Sequence, residues 1–334
     1  MKYWLDITNL PHAVFFEDFI REHSCLVTAR RFGYLQELLK KKGIDFTSAG
    51  YHGGKNKLEK LRASAERTAK LADIVAGYKI KAAISKHSVE APRVAFGIGI
   101  PCFHFVDNEY AEKQNRLTLA LCSRIIVPRA LRLEKIIEQG AEKNNIMRIN
   151  SVLEYSQVKN FEPDEEIVRK LKIENYVLIR PPPFRAAYYE GENPTQDIID
   201  TVRREGYSAV VLPRGEENYS GALNLRNTDT LNLAYFAVAT ISGGGTMNRE
   251  AALLGKPAIS FYPDPLLGVD RFLISHGVMK HASSVREITE FIPSDEEAEA
   301  IARRASRLRR KLEDPFEVLK RELEEFDYDS YTEN

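Results

Sequence analysis

Apolar and polar positions along the chain follow two periods in turn. Short apolar runs at 3–7, 25–28, 82–85, 102–106, 125–127 and 146–149 read as buried strands. Between them, 13–22, 34–42, 57–76, 90–96, 112–121 and 131–139 carry helical spacing. Strand then helix, repeated, implies parallel strands, since a parallel pair needs a long crossover. The same grammar resumes with helix 164–171, strand 176–179, helix 196–204, strand 209–212, helix 231–237, strand 239–241, helix 246–254 and strand 258–261. Gly99-Ile100-Pro101 and Gly255-Lys256-Pro257 each stop a helix and start a strand. The polar stretch 150–163 reads as a linker, and the tail 327–334 as frayed. Helices at 298–312 and 315–326 close the chain. In the second, Phe316, Val318, Leu319, Leu323 and Phe326 form an apolar face expected to pack on the 1–150 half.

At 334 residues the chain suits two domains. They are expected at 1–152 and 153–312, with a helix at 313–328 crossing back to the first. The apolar stretch 94–106 is broken by Gly97, Gly99, Pro101 and His104, so no membrane span is expected. The N-terminus does not read as a secretion signal. Cys25, Cys102 and Cys122 have no metal-binding or redox spacing, which fits buried thiols in a reducing compartment. A cytoplasmic protein is expected, with peripheral membrane contact left open. Net charge is zero, yet residues 1–150 hold 25 Lys+Arg against 16 Asp+Glu. That excess favours an anionic partner or a membrane surface for the first half; no nucleic-acid partner is expected.

The segment "TISGGGTMNREAALLGKPAISFYP", 240–263, carries the sharpest signal. Gly243, Gly244 and Gly245 lie between an expected strand and an expected helix, at the carboxyl end of a parallel strand, where open α/β sheets bind ligands. Glycines let the backbone approach a ligand, and a helix N-terminus offers free N–H groups to a diphosphate. Ser242 and Thr246 add hydroxyls, and Glu250, on the Thr246 face, suits a ribose diol. The lysine of a P-loop and the third glycine of a dinucleotide fingerprint are missing.

"SGGGTMNREAALLGKPAISFYP" resembles the donor segment of GT-B enzymes. It is similar to that of the non-hydrolysing UDP-N-acetylglucosamine 2-epimerases and of the glycosyltransferase that makes the second lipid intermediate of peptidoglycan. With "DITNLPH", "SKHSVEAPRVAFGIGIP" and "DNEYAEKQNRLTL", the whole chain resembles the family called domain of unknown function 354. The resemblance implies a GT-B fold, two Rossmann-like α/β domains with parallel sheets facing a central cleft. It also implies a diphosphate on Ser242, Gly243 and Gly244 and a ribose on Glu250. Against the epimerase pattern, Asp107 stands at the first acidic position and Glu112 near the second. Ser85–Ser88 replaces a Gly-Asp pair, and Arg180 stands where the epimerases have histidine.

A transferase needs a clamp for the leaving diphosphate and a base for the acceptor hydroxyl. Arg180 and Arg214 follow expected strands and suit the clamp, since a guanidinium forks onto phosphate oxygens. No metal and no separate cofactor are expected. His12, in the first strand-to-helix loop, is the favoured base, with Asp107 and Glu109 as rivals. His52, Lys55 and His87 are placed on the acceptor side, and residues 50–57 read as a flexible basic loop. The expected function is glycosyl transfer from a UDP-linked sugar on the donor domain 153–312 to an anionic or lipid-linked acceptor on the acceptor domain 1–152. The alternatives are an epimerase-like enzyme and a non-catalytic nucleotide-sugar-binding protein.

Overall fold

Among the described residues, thirteen short strands form two sheets, and every pairing is parallel. The computed structural model describes residues 2–54, 56–183, 193–263 and 265–332. Among these the chain divides into two compact units, Met1–Leu153 with Glu313–Asn334, and Glu154–Leu312.

The first unit contains β1 (Lys2–Ile7), β2 (Cys25–Arg31), β3 (Thr47–Tyr51), β4 (Ile80–Lys86), β5 (Cys102–Phe105), β6 (Arg124–Pro128) and β7 (Ile146–Ile149). They lie in the order β3-β2-β1-β4-β5-β6-β7. The second contains β8 (Tyr176–Arg180), β9 (Ser208–Val211), β10 (Leu223–Asn224), β11 (Ala239–Ser242), β12 (Ala258–Ser260) and β13 (Lys280–His281), in the order β10-β9-β8-β11-β12-β13. Strand order reverses between β1 and β4 in one sheet and between β8 and β11 in the other. Such switch points open a crevice at the carboxyl ends of the strands.

The central strands are apolar on both faces, as covered parallel strands must be. The edge strand β7 carries the expected apolar run at 146–149, whereas the edge strands β3, β10 and β13, less covered, carry none. β3, Thr-Ser-Ala-Gly-Tyr, buries Ala49 at its centre and exposes both ends, and β10 and β13 are two residues long. The expected helix 13–22 is two helices, Leu10–Phe15 and Glu17–Glu22, joined at Phe16. The expected linker is not a loose tether: Ser151, Val152, Leu153 and Glu154 are buried, and Tyr155–Val158 is helical. The tail is helical from Tyr328 to Thr332, and the Tyr331 hydroxyl donates to the Ile100 carbonyl at 3.4 Å.

The closing helix Pro315–Glu325 belongs to the first unit. Asp314 caps it, accepting from the Phe316 N–H. Phe316 packs on Phe15, Phe16, Phe19 and Phe105 with ring centroids 4.8–6.1 Å apart. Leu319 and Leu323 join the same core as Leu5, Ile84 and Phe103. The Asn150 N–H donates to Glu313 Oε2 at 2.6 Å, and the Glu313 N–H donates to the Asn150 carbonyl at 3.0 Å. The chain leaves and re-enters the unit at this pair.

A polar network lies inside the same unit. Arg67, 1% exposed, donates to Asp6 (2.5 Å), to Glu90 (2.7 Å) and to the Ala49 carbonyl (2.9 Å). Asp6 also accepts from Thr28 (2.7 Å) and Ser88 (2.5 Å). A buried ion set of this kind survives because every member is paired; removing one strands the rest. Gly50 is required beside it: its φ is +70°, and a Cβ there would lie 2.8 Å from Arg67 Cγ.

In β5, His104 is fully buried and its Nδ1 lies 2.7 Å from Ser85 Oγ. Burial, reinforced by His87, lowers its pKa to about 3. The folded state therefore holds it neutral, while the unfolded chain takes up a proton below about 6.5. Its stabilising contribution is complete above that pH and is lost as pH falls towards the folded value.

Two predictions follow from this packing. Phe316→Ala lowers the unfolding free energy by about 3–5 kcal/mol in a denaturant titration, the usual cost of emptying an aromatic site. Between pH 7 and pH 5 the wild type loses about 2 kcal/mol more than His104→Asn, one proton's linkage over that interval. Parallel pH dependences for the two proteins would show that His104 is not the titrating group.

Candidate functional site

In the second unit, β11 ends at Ser242, which pairs in register with Arg180 of β8 across the switch point. The Gly243 N–H donates to the Arg180 carbonyl at 3.1 Å, and the helix Gly245–Leu254 begins at once. The glycines are needed for space, not for left-handed backbone. A Cβ on Gly243 would stand 2.7 Å from Pro182 Cβ and 2.8 Å from Phe261 Cε2. On Gly244 it would strike the Arg214 guanidinium, and on Gly245 it would lie 2.5 Å from Arg249 Nη2. Gly244 is the N-cap, and among the described residues no side chain caps the helix. Its first-turn N–H groups and its positive end are thus left for another acceptor.

Ser242 is turned inward. Its Oγ accepts from the Gly244 N–H at 3.0 Å and lies 3.1 Å from the Gly244 carbonyl, so it closes the loop. Thr246 is half-buried in the first helical turn, and Glu250 is buried one turn on. Arg180 Nη1 donates to the carbonyls of Leu212 (3.0 Å) and Pro213 (3.2 Å). Arg214 is exposed; its Nε donates to the Pro181 carbonyl at 2.6 Å, which carries the guanidinium beside Gly244.

Two further side chains, Asn248 and Arg249, hold this arrangement in place. Asn248 Nδ2 donates to the carbonyls of Ser242 (3.0 Å) and Gly244 (3.3 Å), tying the loop down from inside the helix. Arg249, 3% exposed, pairs with Asp270 (2.7 Å) and Glu154 (3.1 Å), both buried, and fixes the helix beneath Gly245. The signal was present: Asn-Arg-Glu stands inside a segment apolar enough to be buried all round, and buried polar groups need partners. Their partners, Asp270 and Glu154, lie in stretches with no strong pattern.

In the first unit the switch point gathers titratable side chains from β1, β4 and β5. His12 is not in a loop but in the helix Leu10–Phe15, 5% exposed, with Nδ1 3.1 Å from Thr8 Oγ1. Burial, then Lys86 and His87, lowers its pKa well below the ordinary value, so it is neutral and weakly basic. Asp107 pairs with Lys86 Nζ at 2.9 Å and with His87 Nε2 at 2.7 Å. His87 holds a left-handed φ of +50° at the end of β4, which a non-glycine residue adopts at some cost. Its Nε2 lies 2.7 Å from Asp107 Oδ1, and its buried Nδ1 has no hydrogen-bond partner among the described residues.

Glu109 is fully buried, and Gln139 Nε2 donates to its carbonyl at 2.9 Å, so the expected cleft-facing carboxylate presents no surface. His52 is half-buried, its ring 4.7 Å from that of Phe32. Lys55 lies outside the described residues. The segment read as a flexible loop is partly pinned: Tyr51 ends β3, Gly53 packs on Lys60 Cα, and Asn56 caps the helix Lys57–Ala76. Among the described residues no helix is long and apolar enough to cross a membrane.

The GT-B fold recurs in solved structures. The UDP-GlcNAc 2-epimerase of Neisseria meningitidis bound to UDP-GlcNAc aligns over 98% of this chain and 100% of its own, with TM-score 0.65 and 14% identity. The glycotransferase of kitacinnamycin aligns over 96% and 99%, with TM-score 0.62 and 12% identity. In sequence, an uncharacterised protein of Methanocaldococcus jannaschii is 36% identical over 312 residues, covering 86% of this chain and 90% of that one. The family model described as "Protein of unknown function (DUF354)" matches residues 1–326, and the chain belongs to that family.

Proposed function

We propose that this protein transfers a glycosyl group from a UDP-linked sugar. The observation that carries the reading is the uncapped start of the helix Gly245–Leu254, set at the switch point behind glycines whose Cβ positions are already occupied. A diphosphate fits there on backbone N–H groups, with the Arg214 guanidinium beside it to hold the leaving group's charge. Glu250 is the partner for the ribose. The Neisseria enzyme, similar in fold, is bound to UDP-GlcNAc, which supports the same class of ligand here.

Within the first unit, His87 is the side chain suited to take the acceptor's proton. Asp107 orients His87 through Nε2, and with the proton on that nitrogen the Nδ1 lone pair takes the acceptor's proton. The acceptor oxygen bonds to the anomeric carbon as that carbon's bond to the diphosphate oxygen breaks. UDP departs as the anion and His87 leaves protonated beside Asp107. Transfer is favoured over epimerisation because Arg180, at the place of the epimerase histidine, spends Nη1 on the Leu212 and Pro213 carbonyls and is too strong a base to exchange protons. A metal is not assigned to this chemistry.

Glu250→Ala should weaken UDP-sugar binding by about 1–3 kcal/mol, measured by calorimetry. Unchanged affinity would remove Glu250 from the site, and a wild type that binds no nucleotide sugar would end the reading. His87→Ala should lower turnover about 10²–10⁴-fold with donor affinity retained, and Asp107→Asn should follow it. A larger loss in His12→Ala would move the base to His12. Deuterium entering the sugar at C2 in heavy water, with no acceptor consumed, would establish epimerisation instead.

A further inference from the structure

Beside β1 and β2 stands a cation that is fixed in place without being neutralised. Arg30, near the end of β2, donates from Nε to the Thr8 carbonyl at 2.6 Å and from Nη2 to Asn9 Oδ1 at 2.8 Å. Both acceptors are uncharged. The two carboxylates that lower its isolation, Asp6 and Glu90, are committed to Arg67. Among the described residues Arg30 forms no ion pair. Its guanidinium lies 5.2 Å over the Phe32 ring, and that ring lies 4.7 Å from His52. The part-buried guanidinium is pushed down to about 10, by burial first and by Arg67 second, and it remains charged at neutral pH.

Other donors converge on the same place. His52 is lowered by burial, then by Arg30 and Lys60, so two cations act on this imidazole. Asn9 stands at the N-cap of the helix Leu10–Phe15 but makes no capping bond, because its Oδ1 serves Arg30. Its amide nitrogen remains a donor. Holding several basic groups together in a half-buried position costs free energy that a bound anion removes.

We propose that Arg30, Asn9 and His52 form a subsite for a phosphoryl group. A guanidinium fork, an amide donor and an imidazole suit a dianion with several acceptor oxygens. This rests on the transferase reading only in assigning that phosphoryl group to the acceptor. Phe32 and Tyr51, large and exposed, flank the subsite and give an apolar body somewhere to lie.

The test uses the full chain and inorganic phosphate as the probe. The imidazole resonances of His52 are followed through a pH titration in phosphate and in chloride at equal ionic strength. Phosphate should raise the His52 titration midpoint in the wild type, because a neighbouring anion favours the imidazolium. Arg30→Gln should bind phosphate about ten- to a hundredfold more weakly, the loss expected for a charge-assisted pair. Should that variant fail to fold, Asn9→Ala should show a smaller weakening in the same assay. An unmoved midpoint in the wild type, or a shift that survives in folded Arg30→Gln, overturns the proposal. Vesicles containing phosphatidic acid that retain the wild type but release the Arg30 variant identify a lipid phosphate; phosphate binding without vesicle binding identifies a soluble ester. UDP binding measured on the same sample separates this subsite from the donor reading, since either can fail while the other stands.

Discussion

Parallel pairing is the constraint on which the rest of this structure depends. Each parallel strand needs a crossover, the crossovers cover both faces of the sheet, and the covered strands must then be apolar on both sides. Polar chemistry is left to the strand ends. At the carboxyl ends next to each switch point the chain diverges to opposite faces, and backbone and side-chain donors there have no neighbouring crossover to satisfy them. His12, His87 and Asp107 in one unit, and Arg180, Arg214 and the glycine loop in the other, occupy those ends for that reason.

Each switch point is braced by a buried arginine placed between two carboxylates. Arg67 sits between Asp6 and Glu90, and Arg249 between Asp270 and Glu154. Such sets are poor sources of net stability, since desolvation offsets most of the attraction. Their value here is positional. Arg67 binds β1 to the helix Lys57–Ala76 and to the Ala49 carbonyl of β3, and Arg249 holds the helix whose first turn follows the glycine loop. A glycine loop at a helix start keeps its N–H groups aimed only with such support, and hydrogen bonds weaken steeply with angle.

The basic groups of the first unit are each tuned differently by contact. His104 is neutral through burial, and His12 through burial and the charge of Lys86. His87 is held by a carboxylate and Arg30 by neutral oxygens. Four basic residues within one strand-end region thus have four distinct chemistries. Residue type gave no warning of this, since a histidine's behaviour is set by what desolvates it and what it touches.

The sequence by itself determined the alternation of strand and helix, the two-sheet α/β class and the place of the glycine loop. Each is written in local pattern: apolar runs, helical spacing, and glycines between a strand and a helix. It also determined that Phe316, Leu319 and Leu323 share one face of the closing helix. Only the tertiary structure decided that β3, β10 and β13 are strands, because an edge strand is stabilised by its neighbour and not by its own apolar content. Tertiary contact likewise buried Glu109, turned Ser242 into a loop closure, and joined His87 to Asp107 across 20 positions of sequence. Pairings of that separation are set by the order of strands in a sheet, and no local pattern encodes which side chains that order brings within hydrogen-bonding distance.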